Sequence, residues 1–225
     1  IKENGKTIAP KVHLFAGKAA PSYHMAKLII QLINTVAKKI NSDQYIAGQL
    51  KVVFLEDYKV SLAECIIPAT DLSEQISTAG TEASGTSNMK FALNGALTIG
   101  TYDGANIEIR NAVGSENFYL FGATSEDINK SRRYDDNNRV YQQGNSQIAP
   151  IVDTLISGVF TADRDLFAPL HHMLTTADNY CHLLDFGSYC KAQQQAMVDF
   201  EHPRRWHQKA LLNISRMGEF SSDRT

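Results

Sequence analysis

The chain has 225 residues, 22 Lys and Arg against 24 Asp and Glu, a formal charge of −2 and a pI near 6.4, so it is long enough to bury a sizeable core and is almost neutral. It carries no long basic block, which argues against nucleic acid as a partner, and no apolar run near about 18 residues, which argues against a membrane-spanning helix or membrane partner. Cys65, Cys181 and Cys190 are odd in number and at no zinc spacing, so free thiols in a reducing, cytoplasmic setting are expected, with no metal site.

Val12–Phe15 is a short apolar run ending at Gly17, followed by Met25, Leu28, Ile29, Leu32, Ile33, Val36 and Ile40 at helical spacing, with Pro21 and Ser22 at the start. Leu50–Leu55 reads as a buried strand and Ser61–Ile67 as a short helix stopped before Pro68. Leu72–Gln75, a helix around Lys90 ending at Asn94-Gly95, Leu97–Ile99, a helical stretch after Asp103 and Phe118–Phe121 continue the alternation. That order predicts an α/β fold: a doubly wound, mostly parallel sheet covered on both faces, over residues 1–123.

The character then changes. Residues 124–145 read as a polar loop, Ser131–Gly144 being rich in Arg, Asp, Asn and Gln. Within 146–225, Gln147–Ile156, Leu166–Ala177, Tyr189–Phe200 and Arg204–Met217 have helix-compatible patterns, broken by Gly158, Asp178 and Pro203, and are expected as additional C-terminal packing helices. The whole is expected to form one domain. Because it opens at Ile1 rather than Met, the chain is read as a piece of a longer polypeptide.

Chemistry concentrates in Glu82-Ala83-Ser84-Gly85-Thr86-Ser87-Asn88-Met89-Lys90. Gly85 permits close backbone approach, Thr86 and Ser87 supply hydroxyls, and free N–H groups at a helix start favour phosphate. Lys90 stands one turn on, about 5.4 Å along the axis, and its side chain leans back over the same cup. A phosphorylated aldehyde suits this arrangement, since a lysine amine there can form a Schiff base. The alternative is a solvated Lys90 with Thr86 and Ser87 merely capping a helix.

Continued through Phe91-Ala92-Leu93-Asn94-Gly95-Ala96-Leu97, this stretch resembles the pyridoxal-phosphate attachment signature of the glycogen, starch and maltodextrin phosphorylases. The resemblance extends to Gly17–Pro21, Asp71–Ser77, Thr101–Asn106 and Phe220–Arg224, so nearly the whole chain is similar to the carboxy-terminal half of such an enzyme, closest to the bacterial glycogen phosphorylases. It implies the C-terminal, cofactor-binding lobe of a two-lobed, GT-B-like glycosyltransferase architecture, with the N-terminal lobe absent. Pyridoxal 5'-phosphate would be bound by Lys90, with Gly85, Thr86, Ser87 and Tyr58 in its pocket, and Lys90 would be the catalytic attachment residue. Glu82, Ser84 and Gly85 would hold hydroxyls of the reacting glucosyl unit, a role suited to a carboxylate that accepts charge-assisted hydrogen bonds.

The implied reaction is phosphorolysis of the non-reducing end of an α-1,4-glucan by inorganic phosphate, releasing glucose 1-phosphate. In this family the cofactor's 5'-phosphate acts beside the substrate phosphate as a proton-relay and electrostatic partner. The cationic compensation is expected from a segment before this fragment, so the fragment alone is expected to be inactive; the intact enzyme is expected to be a homodimer.

Other readings have less behind them. Glu74 and Glu82, seven residues between them, match a spacing of nucleotide-sugar glycosyltransferases, which leaves such a lobe, or a non-catalytic binding module, as alternatives. Ser87-Asn88-Met89-Lys90 fits S-x-x-K, but the companion S-D-N and K-T-G elements are replaced by Ser222-Asp223-Arg224 and Gly5-Lys6-Thr7. Lys18 either faces the cleft or is solvated, and Lys59 stands where many animal relatives carry arginine. Asp103-Gly104 is expected to cap the following helix. The histidines, among them the neighbours His171 and His172, form no ligand pattern.

Overall fold

A computed structural model describes residues 9–46, 48–134, 141 and 147–224. The chain divides into two compact units, Ile1–Lys59 with Tyr141–Asp178, and Val60–Val140 with Asn179–Thr225. This cuts across the sequence division at 123 and 145, because the chain leaves the first unit after its second strand and returns to it in the later helices.

In the first unit, β1 (Lys11–Ala16) and β2 (Leu50–Leu55) pair in parallel, from Lys11 opposite Leu50 to Ala16 opposite Leu55. Parallel neighbours need a crossover, and α1 (His24–Asn41) supplies it. Met25, Leu28 and Leu32 lie on one stripe of α1 and pack against a core of Leu155, Phe167 and Leu170. The end of α1 is tied to β2 by Asn41, whose Nδ2 donates to the Val52 carbonyl at 2.7 Å while its Oδ1 accepts the Val52 N–H at 3.0 Å. The same unit holds α6 (Ile148–Asp153) and α7 (Ala168–Thr176).

The second unit begins with α2 (Val60–Ile66) and contains a three-stranded parallel sheet, order β3 (Leu72–Gln75), β4 (Leu97–Thr101), β5 (Phe118–Phe121). The central strand β4 is buried along its whole length. Alternation divides its neighbours between two faces. Leu97, Ile99, Tyr119 and Phe121 pack with Ala192, Ala196 and Trp206 from α8 (His182–Phe200) and α9 (Pro203–Arg216). Phe118 packs instead with Ala92, Ile109, Val113 and Met217, from α3 (Ser87–Leu93), α4 (Asn106–Val113) and the turn after α9. Cover on both faces accounts for the apolar run of β5, whereas the edge strand β3 carries the polar Ser73, Glu74 and Gln75.

Within each unit the strands are parallel as expected, two in the first and three in the second among the described residues. Periodicity identifies a strand without identifying its partner. The polar loop expected from residue 124 is corrected, since α5 (Ser125–Tyr134) occupies its first part. Thr124 and Asp127 form a reciprocal cap, the Thr124 hydroxyl donating to Asp127 Oδ2 at 2.6 Å and accepting the Asp127 N–H at 3.2 Å. With Ile128 as its buried apolar anchor, α5 has too little hydrophobic pattern to be read by period. Residues 135–140 and 142–146 of the expected loop lie outside the described residues. The third C-terminal helix starts at His182, seven residues ahead of the expected Tyr189, after Cys181 in the left-handed conformation. No helix among the described residues is long and apolar enough to cross a membrane.

Candidate functional site

The segment from Ile76 to Thr86 joins β3 to α3 across the carboxyl end of the sheet, where open α/β sheets place their ligands. Glu82, Ser84, Thr86 and Ser87 are exposed there, so their own side chains do not anchor the segment by burial. It is anchored by its own buried Thr78 and Ala79, the Thr78 hydroxyl donating to the Tyr180 carbonyl at 2.9 Å, and by the residues that follow β4. Asp103, 4% exposed, accepts the Ser77 hydroxyl at 2.7 Å, the Gly80 N–H at 2.9 Å and the Glu82 N–H at 2.9 Å. The Ala105 N–H donates to the Ser84 carbonyl at 2.7 Å. Farther along, buried Asn88 donates to Asn106 Oδ1 at 3.1 Å, and Asn106 Nδ2 donates to the carbonyls of Thr101 at 3.1 Å and Gln75 at 3.3 Å.

Asp103 was expected to cap the next helix and does not. Helix α4 starts at Asn106 with no side-chain cap, and the Asp103 carboxylate is committed to the preceding loop. Burial pushes its pKa up, but the Ser77 hydroxyl and the N–H groups of Glu82, Gly80 and Thr81 outweigh that and hold it below the ordinary carboxylate value. The signal available in the sequence was a short acid two residues after a buried strand; its partners lie more than twenty residues upstream and have no local mark.

Gly85 adopts φ +82°, and a Cβ there would sit 3.1 Å from Asn88 Nδ2. Among the described residues the backbone N–H groups of Gly85, Thr86, Ser87 and Asn88 donate to no protein acceptor. Thr86 makes no side-chain cap to α3, and the Ser87 hydroxyl donates to Gln75 Oε1 at 3.2 Å, so neither hydroxyl is used to cap the helix. Lys90 follows in α3, its N–H donating to the Thr86 carbonyl at 3.4 Å; its side chain is exposed, and its amine has no hydrogen bond or ion pair among the described residues. Four free N–H donors, the Thr86 hydroxyl, a glycine cradle and an unpaired amine make a donor set that fits a phosphate ester bearing an aldehyde.

The Glu82 carboxylate accepts the Ser84 N–H at 3.3 Å and is otherwise free among the described residues. Glu74 differs. Tyr189 and Gln193 of α8 both donate to its carboxylate, so it serves the β3–α8 contact, and the Glu74–Glu82 pair does not present two free acids.

Tyr58 lies half-buried in the other unit, three residues past β2. Beside it Asp57, at φ 47°, pairs with Lys59 at 3.0 Å and, more loosely, with Lys18 from the turn after β1 at 3.8 Å. These three side chains are well exposed, a setting in which ion pairs contribute little stability. His171 is directed at Asp153, 3.1 Å away, and among the described residues no cluster of three or more His, Cys, Asp or Glu could hold a metal ion.

A protein-family model described as carbohydrate phosphorylase matches residues 1–225. The glycogen phosphorylase of Synechocystis sp. is 49% identical over 227 residues, that of Chlamydia trachomatis serovar D 48% over 231, and the muscle form of Oryctolagus cuniculus 47% over 225. Each match takes in 100% of this chain but only 27% or 28% of the relative, so the chain spans little more than a quarter of their length.

Proposed function

This chain belongs to the carbohydrate phosphorylase family, and from that premise we propose that residues 1–225 form the pyridoxal-phosphate-binding, C-terminal lobe of a glycogen phosphorylase with a GT-B-like architecture. The observation that carries the reading is the clamped segment ending in Lys90: free backbone donors at residues 85–88 and the Thr86 hydroxyl, then an unpaired amine one turn on.

On this reading Lys90 would hold the aldehyde carbon covalently, and Thr86 and Ser87 would hold the ester phosphate, with Gly85 leaving room for its close approach. When bound, the cofactor supplies a phosphate that shares protons with the substrate phosphate. The residues of this chain orient the sugar. Glu82 accepts hydrogen bonds from sugar hydroxyls through its exposed carboxylate, and the N–H groups of Ser84 and Gly85 donate to the same glucosyl unit, Ser84 exchanging its long bond to Glu82 for one to the sugar. The intact enzyme then transfers the terminal glucosyl unit of an α-1,4-glucan to inorganic phosphate, giving glucose 1-phosphate. It does so as a cytoplasmic homodimer whose other lobe completes the cleft, and the 225 residues alone do not turn over.

Borohydride reduction of the intact enzyme followed by peptide mass mapping tests the reading. A pyridoxyl group on Lys90 is expected. A label on any other lysine overturns the assignment, and glucose 1-phosphate release by residues 1–225 alone overturns the claim of incompleteness.

A further inference from the structure

We infer that Asp103 is a positioning residue for the reaction proposed above, holding Ser77–Glu82 in the conformation that presents Glu82, Ser84 and Gly85 to the sugar. The inference rests on that reading and adds to it a residue that touches neither substrate nor cofactor.

The hydrogen bonds of the Asp103 carboxylate run to the loop and none to its own helix: Oδ1 accepts from Gly80, and Oδ2 from both Ser77 and Glu82. The next two residues continue the seam. A Cβ on Gly104 would fall 2.6 Å from the Ser84 carbonyl oxygen and 3.0 Å from Glu82 Cγ, and Ala105 donates its N–H to that same carbonyl. Residues 103–105 thus form a strip on which 77, 80, 82 and 84 are laid. The loop's functional side chains are exposed, so this strip, and not their packing, sets where they point.

A carboxylate is required because three donors converge on two oxygens. In Asp103→Asn the amide has one oxygen, and its NH₂ group faces either the Gly80 N–H or the pair from Ser77 and Glu82. One side of the clamp is lost, leaving donor against donor in a buried site. Helix α3 and Lys90 are tied separately, through Asn88 and Asn106, so covalent capture of the cofactor is retained.

The test uses the intact enzyme, comparing the native protein with D103N and the milder S77A for KM of glucose 1-phosphate, kcat and borohydride labelling of Lys90. D103N is expected to raise KM about tenfold and S77A about threefold, with labelling of Lys90 unchanged in both, the scale set by one lost charge-assisted or one lost neutral hydrogen bond. Unchanged KM in D103N with full labelling overturns the inference. So does loss of labelling in step with KM in both variants, which marks a general structural role. Native enzyme without label at Lys90 instead overturns the cofactor assignment, a distinct result.

Discussion

The Tyr189 phenol donates to Glu74 Oε2 at 3.0 Å, and Gln193, one turn along α8, donates both to the same carboxylate and to the phenol oxygen at 3.0 Å. A helix that covers the sheet is thereby bonded to the edge strand β3. Burial and the Glu74 charge both push the Tyr189 phenol above its ordinary pKa, so it stays a donor throughout the neutral range.

Tyr189→Phe should therefore act on stability alone. Removing a hydrogen bond to a half-buried charge is expected to cost about 1.5–3 kcal/mol, read as a lower urea midpoint, with borohydride labelling of Lys90 unchanged. Lost labelling at native stability would instead move Glu74 and its partners into the site.

The second cross-link predicts an acid transition. Asp199, 2% exposed, accepts the Tyr119 phenol at 2.9 Å and pairs with Arg205 at 3.0 Å and Lys209 at 2.8 Å. Burial raises its pKa, but the bonds from Lys209, Arg205 and Tyr119 prevail and bring it down to about 2 from 3.8. A depressed carboxylate stabilises the fold fully above its unfolded value and loses that contribution as pH falls through the folded value. About 2 kcal/mol should thus disappear between about pH 5 and pH 2. Urea midpoints across that range should fall in the native chain, and Asp199→Asn should be less stable at neutral pH while showing a shallower decline. Parallel pH curves would contradict the assignment.

Which parts of this were legible in the sequence depends on the range of the cause. Local causes were: the strand runs, the α1 stripe, and the glycine-and-hydroxyl stretch before Lys90 are all written in neighbouring residues. The Asp103 clamp was misread as a helix cap because its partners, Ser77, Gly80 and Glu82, are contiguous with it only after β3 and β4 pair. The place of Glu74 was not legible for the same reason, its partners being 115 and 119 residues away. Helix α5 was missed although its signal was local, because it lies in the Thr124–Asp127 cap and not in hydrophobic period.

Gly85→Ala should disturb the cradle without unfolding the unit. At φ +82° an alanine costs roughly 1 kcal/mol, and its Cβ would press on the Asn88 amide that joins α3 to Asn106. Weaker cofactor retention on dialysis is expected, with a change in urea midpoint no larger than that cost implies. Retention equal to the native protein would show that the positive φ is not needed for binding.

Lys90 separates function from stability most sharply. Its side chain is exposed and has no hydrogen-bond or ion-pair partner among the described residues, so replacing it should change the stability of the cofactor-free protein by less than about 0.5 kcal/mol. The comparison must be made without cofactor, because a ligand that binds only the folded state adds its own stabilisation. Lys90→Arg keeps the positive charge but offers no nucleophilic amine at neutral pH, since a guanidinium does not deprotonate there. Both Lys90→Ala and Lys90→Arg should therefore lose borohydride labelling and phosphorolysis in the intact enzyme while their cofactor-free urea midpoints match the native one. If Lys90→Arg kept its activity, the contribution of residue 90 would be charge alone, and covalent attachment would have to be sought elsewhere.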